Sequence, residues 1–358
     1  MSQLVRGGDT AVTNDNLKKY IENWWRRVRG GDLGSLPIIV GLVLIAAVFG
    51  TLEPLFFSAR NFVNLLLQMS GLTAIAIGVV FILLIAEIDL SAAYVSGVGG
   101  VAMTLLLRES ATAWPWPLAI GVALSATLLI GLLHGLIITK TGVPSFVVTL
   151  AGLLAWSGVV LIMTTKWSTA GTIVIQNDVV LAIANSFLTP IQGWLLFAVV
   201  LVAYAAGQIL QQNSLRRQNL STKPTLILVL EIAALGMVMG GAVWFANTDR
   251  GVPTVAVIIL ILLVFWSFVA SKTRFGRYVY AVGGNPEAAR RAGINVDRIR
   301  ISVFMIASFM AGVGGIILAS RLRSVDTNTG GGNLLLNAIA AAGIWGPSLV
   351  GGRCRGCR

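Results

Sequence analysis

Apolar residues in this chain do not alternate with polar ones. They run on in blocks, several of them long enough to cross a hydrocarbon layer about 30 Å thick, which takes about 20 residues as helix. Such blocks lie near 36–52, 62–86, 92–107, 117–138, 145–165, 191–210, 225–246, 252–271 and 301–320, with a glycine-rich last one near 334–350. Continuous runs predict helices, since a membrane barrel would alternate residue by residue. The expected fold is therefore all-α: a polytopic membrane helix bundle of about ten spans. Between the blocks, 172–190 is broken by Gln176, Asn177, Asp178 and Pro190, and reads as an outer loop or a re-entrant segment.

The polar pieces divide the rest. Residues 1–35 form a polar N-terminal segment with no secretory signal, and the first apolar run opens at Leu36. Within it, 15–29 combines an acidic start, basic residues and Trp24–Trp25, the composition of an interfacial helix lying on the membrane surface. A solvated tail with an aromatic anchor is the plainer alternative. Residues 36–350 form the transmembrane domain. Residues 351–358 are a basic tail carrying Cys354 and Cys357, a C-x-x-C with no second pair or histidine beside it.

Composition sharpens this picture. Apolar residues make up 56% and charged ones only 11%, too few charges to cover a soluble fold of this length. The net charge of +12 is displayed in the connections. Placing the N-terminus in the cytoplasm puts twenty Lys and Arg on the inner side, seven of them in 272–300, against six outside at Arg60, Arg108, Lys166, Arg250, Arg321 and Arg323. That asymmetry fits the excess of basic residues in cytoplasmic loops and argues against nucleic acid as a partner, leaving membrane lipid as the surrounding medium.

Candidate chemistry is sparse. The sequence has no G-x-x-x-x-G-K-[ST] phosphate loop, no H-E-x-x-H and no G-x-S-x-G elbow. The single His134, at the inner end of a block, reads as a satisfied helix-end residue. Neither an enzyme nor a bound cofactor or metal is expected. Charged residues beside hydrocarbon are expensive, so Glu87-Ile88-Asp89-Leu90-Ser91, between two apolar runs, stands out. Glu87, Asp89 and Ser91 either line a polar translocation path or form a cytoplasmic turn in which Asp89 caps the helix starting near Ser91. Glu231 lies within its block near the cytoplasmic face.

The most informative stretch is 272–300. Gly283 and Gly284 break the chain; Asn285 then caps a short helix, Pro286 suits its first position, Glu287 favours its positive end, and Gly293 stops it. A short capped helix between two membrane spans suits a docking element for a soluble partner, although an ordinary basic loop has the same charge.

Glu287-Ala288-Ala289 followed by Gly293 resembles the E-A-A-x-x-x-G loop of ABC importer permeases. GRYVYAVGGNPEAARRAGINV resembles the ribose/xylose/galactose branch, as do GVVFILLIAEIDLSAAYVSGVGG, GVPSFVVTLAGLLAWSGVVLIM and LLLNAIAAA. The insertion 172–250 is most similar to the xylose permeases of that branch. The resemblance implies a homodimeric channel subunit with a cytoplasmic ATPase partner and a periplasmic sugar-binding protein. It also implies an ATPase-coupling loop built from Gly283, Gly284, Asn285, Pro286, Glu287, Ala288, Ala289 and Gly293. Two features depart from the family pattern. Glu87 stands where a small residue is usual, and a scrambled Gly343–Val350 run replaces the expected glycine-rich span. A rival reading is an ion-coupled secondary transporter whose acids are Glu87, Asp89 and Glu231.

The orientation is directly testable. With Cys354 and Cys357 replaced by serine, one cysteine placed in 272–300 and another in 321–333 are expected to react with an impermeant thiol reagent from opposite faces of the membrane. Reaction of both from one face would invert the topology.

Overall fold

The computed structural model describes residues 36–108, 113–168, 170–218 and 224–344. The interfacial helix expected at 15–29 and the tail 351–358, with Cys354 and Cys357, lie outside these residues.

Each apolar block holds a helix among the described residues, the last of them described only to Ile344. In chain order these are α1 (Leu36–Leu52), α2 (Ala59–Leu84), α3 (Ala92–Leu107), α4 (Trp116–Thr141) and α5 (Ser145–Trp167). Strand β1 (Thr172–Val174) and the short α6 (Asp178–Asn185) follow, then α7 (Pro190–Arg217), α8 (Thr225–Asn247) and α9 (Thr254–Lys272). The chain continues through α10 (Arg274–Gly284), α11 (Pro286–Arg291), α12 (Val296–Leu322), β2 (Ser324–Asp326) and α13 (Leu334–Ile344). Among the described residues, seven helices are long and apolar enough to cross a membrane: α2, α4, α5, α7, α8, α9 and α12. The apolar helices α1, α3 and α13 are shorter. The 11 described residues of α13 reach about 16 Å, roughly half the hydrocarbon thickness.

The sequence signals for helix ends act as expected. Prolines 115, 144, 224 and 253 each sit just before a helix, where a missing N–H is harmless. Thr189 and Gln192 cap each other at the start of α7, and Asn177 and Asn295 cap α6 and α12. Gly142, at φ +72°, closes α4.

The chain packs as two compact units. One holds the residues up to Val63 and Leu188–Val252. In it α7 and α8 run together, Gly236 and Gly240 of α8 facing Leu201 and Phe197 of α7. The N–H of Leu188 meets the carbonyl of Val252 at 2.8 Å, joining the two ends of the 188–252 segment. The other unit holds Asn64–Phe187 and the chain from Pro253 onward. Its centre is α12, packed against α3 and α4.

Hydrophobicity does not distinguish helix from lipid inside a membrane, so close approach has to hold these helices together. The seams are made of glycine. Gly99 of α3 meets Gly312 of α12, and Gly131 of α4 meets the backbone of Phe304 and Met305. At Gly315 a Cβ would fall inside the shell of the Ser96 carbonyl oxygen.

The segment 172–190 resolves into two pieces. β1 pairs antiparallel with β2, Ile173 opposite Val325. α6 is pinned to the end of α12 by Ser320, whose hydroxyl donates to the Val180 carbonyl at 2.7 Å and accepts from the Ala184 N–H at 3.0 Å. The Asn185 amide donates to the Ser320 carbonyl at 2.7 Å. The Arg108 guanidinium donates to the Trp167 carbonyl, joining the C-terminal ends of α3 and α5.

The glycine seam predicts a sharp contrast. Gly315→Ala sets a methyl against backbone and is expected to destabilise by about 1–3 kcal/mol. Gly207→Ala in α7, where a Cβ would meet open space, is expected to be neutral or to stabilise by up to about 1 kcal/mol. Thermal unfolding in detergent checks both.

Candidate functional site

Two sequence features, the 85–91 break and the 273–300 connection, come together at one end of the second unit. The connection is built from local rules. The Thr273 hydroxyl accepts from the Gly276 N–H at 3.2 Å and starts α10, which buries Gly276, Val279 and Val282. Asn285 then accepts from the Ala288 N–H at 3.0 Å, with Pro286 in the first turn of α11. The end of α11 is a Schellman closure: the Gly293 N–H bonds the Arg290 carbonyl, the Ile294 N–H bonds the Ala289 carbonyl, and Gly293 takes φ +82°. The cap, first turn and glycine stop read from the sequence are all present. Of α11 only Ala289 is buried; Glu287, Ala288, Arg290 and Arg291 face outward. Arg290 pairs with Glu287 at 3.0 Å and lies 3.8 Å from Asp297, but exposed pairs of this kind add little.

The break begins where α2 stops. The Glu87 N–H reaches back to the Ile82 carbonyl and the Ala86 N–H to that of Leu83. This is again a Schellman closure, with Ala86 at φ +59° in the position usually held by glycine. Ile88 is then tied to α5: its N–H donates to the Ser145 hydroxyl at 3.3 Å, and its carbonyl accepts from Thr149 at 3.3 Å. Asp89 does not cap the helix itself: it lies two residues ahead of the N-cap, Ser91, where no side chain bonds the first helical turn. Its Oδ1 accepts from the Ser91 N–H at 2.8 Å and the Ser91 hydroxyl at 2.6 Å, a turn closed by the side chain ahead of α3. Asp89 Oδ2 is buried and has no hydrogen-bond partner among the described residues.

Ser91 continues the chain inward. Its Oγ lies 3.4 Å from His134 Nδ1, and the Trp156 indole N–H donates to His134 Nε2 at 3.1 Å. Since Nε2 accepts, the ring proton sits on Nδ1, and the order of donation is Trp156 to His134 to Ser91 to Asp89. All but Trp156 are almost fully buried. Gly152 makes room for the imidazole, because a Cβ there would press on Nε2. His134 is thus a satisfied residue, as the sequence suggested, but it lies about two turns inside α4 rather than at its end. Its partners Ser91 and Trp156 had no sequence signal.

Glu87 also has a partner. Its Oε1 lies 3.0 Å from the Arg300 guanidinium in the second turn of α12, with side-chain exposures of 12% for Glu87 and 29% for Arg300. Beside the pair is a cavity of about 330 Å³ lined by Ala86, Ile88, Gly142, Pro144, Ser145 and Arg300 among others. Of the three residues considered for a polar path, Asp89 and Ser91 are enclosed in the turn, and Glu87 stands at the edge of the cavity. Glu231 lies in α8, in the other unit. Among the described residues, no three of His, Cys, Asp and Glu gather as a metal site.

The relay makes a stability prediction. Ser91→Ala leaves the buried His134 Nδ1 proton without its partner and Asp89 Oδ1 with only the backbone N–H of residue 91, and is expected to lose about 1–3 kcal/mol. Ser125→Ala on the exposed side of α4 is expected to change stability by less than about 0.5 kcal/mol. Equal losses for the two, measured by unfolding in detergent, would deny the relay a structural role.

Residues 61–352 match the family described as branched-chain amino acid transport system / permease component. The chain is 38% identical over 326 residues to the xylose transport system permease protein XylH of Escherichia coli K12, covering 90% of this chain and 80% of that one. It is 32% identical over 328 residues to XylH of Haemophilus influenzae, covering 91% and 85%. The ribose import permease protein RbsC of Escherichia coli K12 is 29% identical over 318 residues, covering 88% and 78%. No solved structure matches the chain. Seven helices of membrane-crossing length among the described residues, together with permease relatives matched over nine-tenths of the chain, make it a multi-pass protein of the cell membrane. The chain belongs to the branched-chain amino acid transport system / permease component family.

Proposed function

We propose that this chain is the membrane channel subunit of an ATP-driven importer for a sugar, a pentose of the xylose kind. It works as a homodimer in the lipid bilayer, receives substrate from a periplasmic binding protein, and is driven by a cytoplasmic ABC ATPase that docks on α11. The observation that carries this reading is the exposed, doubly capped α11 held between two membrane helices. Its Glu287-Ala288-Ala289 and Gly293 match the coupling pattern residue by residue. Relatives matched over about nine-tenths of the chain are named for xylose and ribose, which favours a sugar over the amino acid of the family description.

A docking helix has to be firm in itself yet free on its outer face. Asn285 satisfies the first turn of α11 and Gly293 the last, so the six-residue helix holds without burying more than Ala289. The substrate gains selectivity from the separate binding protein, so this chain needs no deep polar pocket of its own. The rival, an ion-coupled transporter, requires acids free to take up and release the ion. Glu87 is engaged by Arg300 and Asp89 by Ser91, which favours the ATP-driven reading.

The test is a pull-down from membranes followed by uptake assays. The chain is expected to bring down an ABC ATPase, and sugar uptake is expected to survive a proton ionophore while ATP lasts. Glu287→Lys with Gly293→Pro sets a positive charge at the positive end of α11, worth about 0.3–1 kcal/mol, and removes the only residue suited to φ +82°. It is expected to abolish ATPase capture and uptake while leaving membrane insertion intact. Uptake collapsed by the ionophore, or normal uptake in the double variant, would overturn this function.

A further inference from the structure

We propose that the Glu87–Arg300 ion pair and the seat of Gly283 on the end of α2 together form the joint through which movement of α10 and α11 reaches the 85–91 turn. This rests on the reading of α11 as the ATPase dock.

A push on α11 has two ways out of the connection, back through α10 and forward through α12. Both lead to the same place. On α10, a Cβ at Gly283 would fall inside the shell of the Leu84 carbonyl oxygen and lie 3.2 Å from the Ile85 Cα. The two elements therefore meet backbone to backbone, with no side chain between them to absorb a displacement. On α12, Arg300 lies one turn beyond the capped start at Asn295–Val296 and holds Glu87 at 3.0 Å. Leu84 and Glu87 flank Ala86, the left-handed residue at which the chain changes direction. The turn is thus gripped on both sides of its pivot by the two ends of one connection.

What lies beyond the turn makes the grip consequential. Ile88 is bonded to Ser145 and Thr149 of α5, and Asp89 to Ser91, which faces His134 of α4. A shift of the turn is delivered to α2, α3, α4 and α5 at once. The ion pair has room to change, because the 330 Å³ cavity flanks it on the Ala86–Ile88 side. Its grip is also adjustable: Arg300 Nε is buried without a partner among the described residues, so the guanidinium holds Glu87 through its Nη2 atom. Glu87 is the acid that makes the forward route possible. Glu87 and Arg300 are positioning residues, acting on the pathway through the turn.

The experiment uses the full chain with its co-purified ATPase and binding protein in proteoliposomes, and reads sugar transported per ATP hydrolysed. Glu87→Gln and Arg300→Gln are each expected to keep ATPase capture while the transport ratio falls roughly tenfold, the melting temperature being kept in Glu87→Gln and lowered in Arg300→Gln, where Glu87 is left without its partner. The double reversal Glu87→Arg with Arg300→Glu is expected to recover most of that ratio, which a merely structural role would not predict. Gly283→Ala tests the other contact and is expected to give the same uncoupling. If Gly283→Ala fails to fold, the ion-pair variants still decide the question. Single variants that transport at the parental ratio, or a reversal no better than the singles, would overturn the joint. Failure of the parental chain to capture an ATPase at all would instead overturn the function on which it rests.

Discussion

Inside a membrane, a backbone that leaves the helix must find a partner for each group it frees, because no water is there to provide one. The stretch from Leu84 to Ala92 meets this demand almost residue by residue. Ile85, Ala86 and Glu87 donate back into the last turn of α2, Ile88 is satisfied at both its N–H and carbonyl by α5, and Ser91 is held by Asp89. The rest of the second unit depends on that solution. The break lets α2 and α3 change direction without a long loop, and α3 is then free to lie along α12 through Gly99 and Gly315. Its polar side chains serve first as a substitute for water.

The sequence made the local part of this legible and left the long-range part dark. Apolar blocks announced helices because continuous hydrophobicity is a local property, but of the about ten spans expected only seven described helices have the length to cross a membrane. α11 was legible to the residue for the same reason, since Asn285, Pro286 and Gly293 act on their own turn. Asp89 was expected to cap the helix but closes the turn ahead of it onto Ser91, whose αR backbone no residue type announces. Strands β1 and β2 span three residues each, too short for any period to show. The Glu87–Arg300 pair and the Ser91–His134–Trp156 contacts join residues from distant helices, and only packing brings them together. Forty glycines signalled close helix contacts, but composition does not say that Gly283 rather than its neighbour Gly284 meets the Leu84 carbonyl.

The distribution of polar interactions also separates two mechanical roles. The pairs on α11 are exposed, with Glu287 at 71% and Arg290 at 55%, so solvent screens them and they are easily replaced. Glu87 is exposed to only 12%, and the turn beside it is bonded into three helices. A surface that must bind and release a partner benefits from weak, replaceable contacts. A segment that must carry displacement benefits from stiff ones, because bonded backbone does not dissipate motion as rotamers do. The chain places the soft element at the surface and the stiff one directly behind it, with Gly283 as the point where they touch. That order explains why an acid is tolerated at position 87. Next to hydrocarbon it is expensive alone, but paired with Arg300 it ties the start of α12 to the end of α2, which apolar contact in a membrane would not do as firmly.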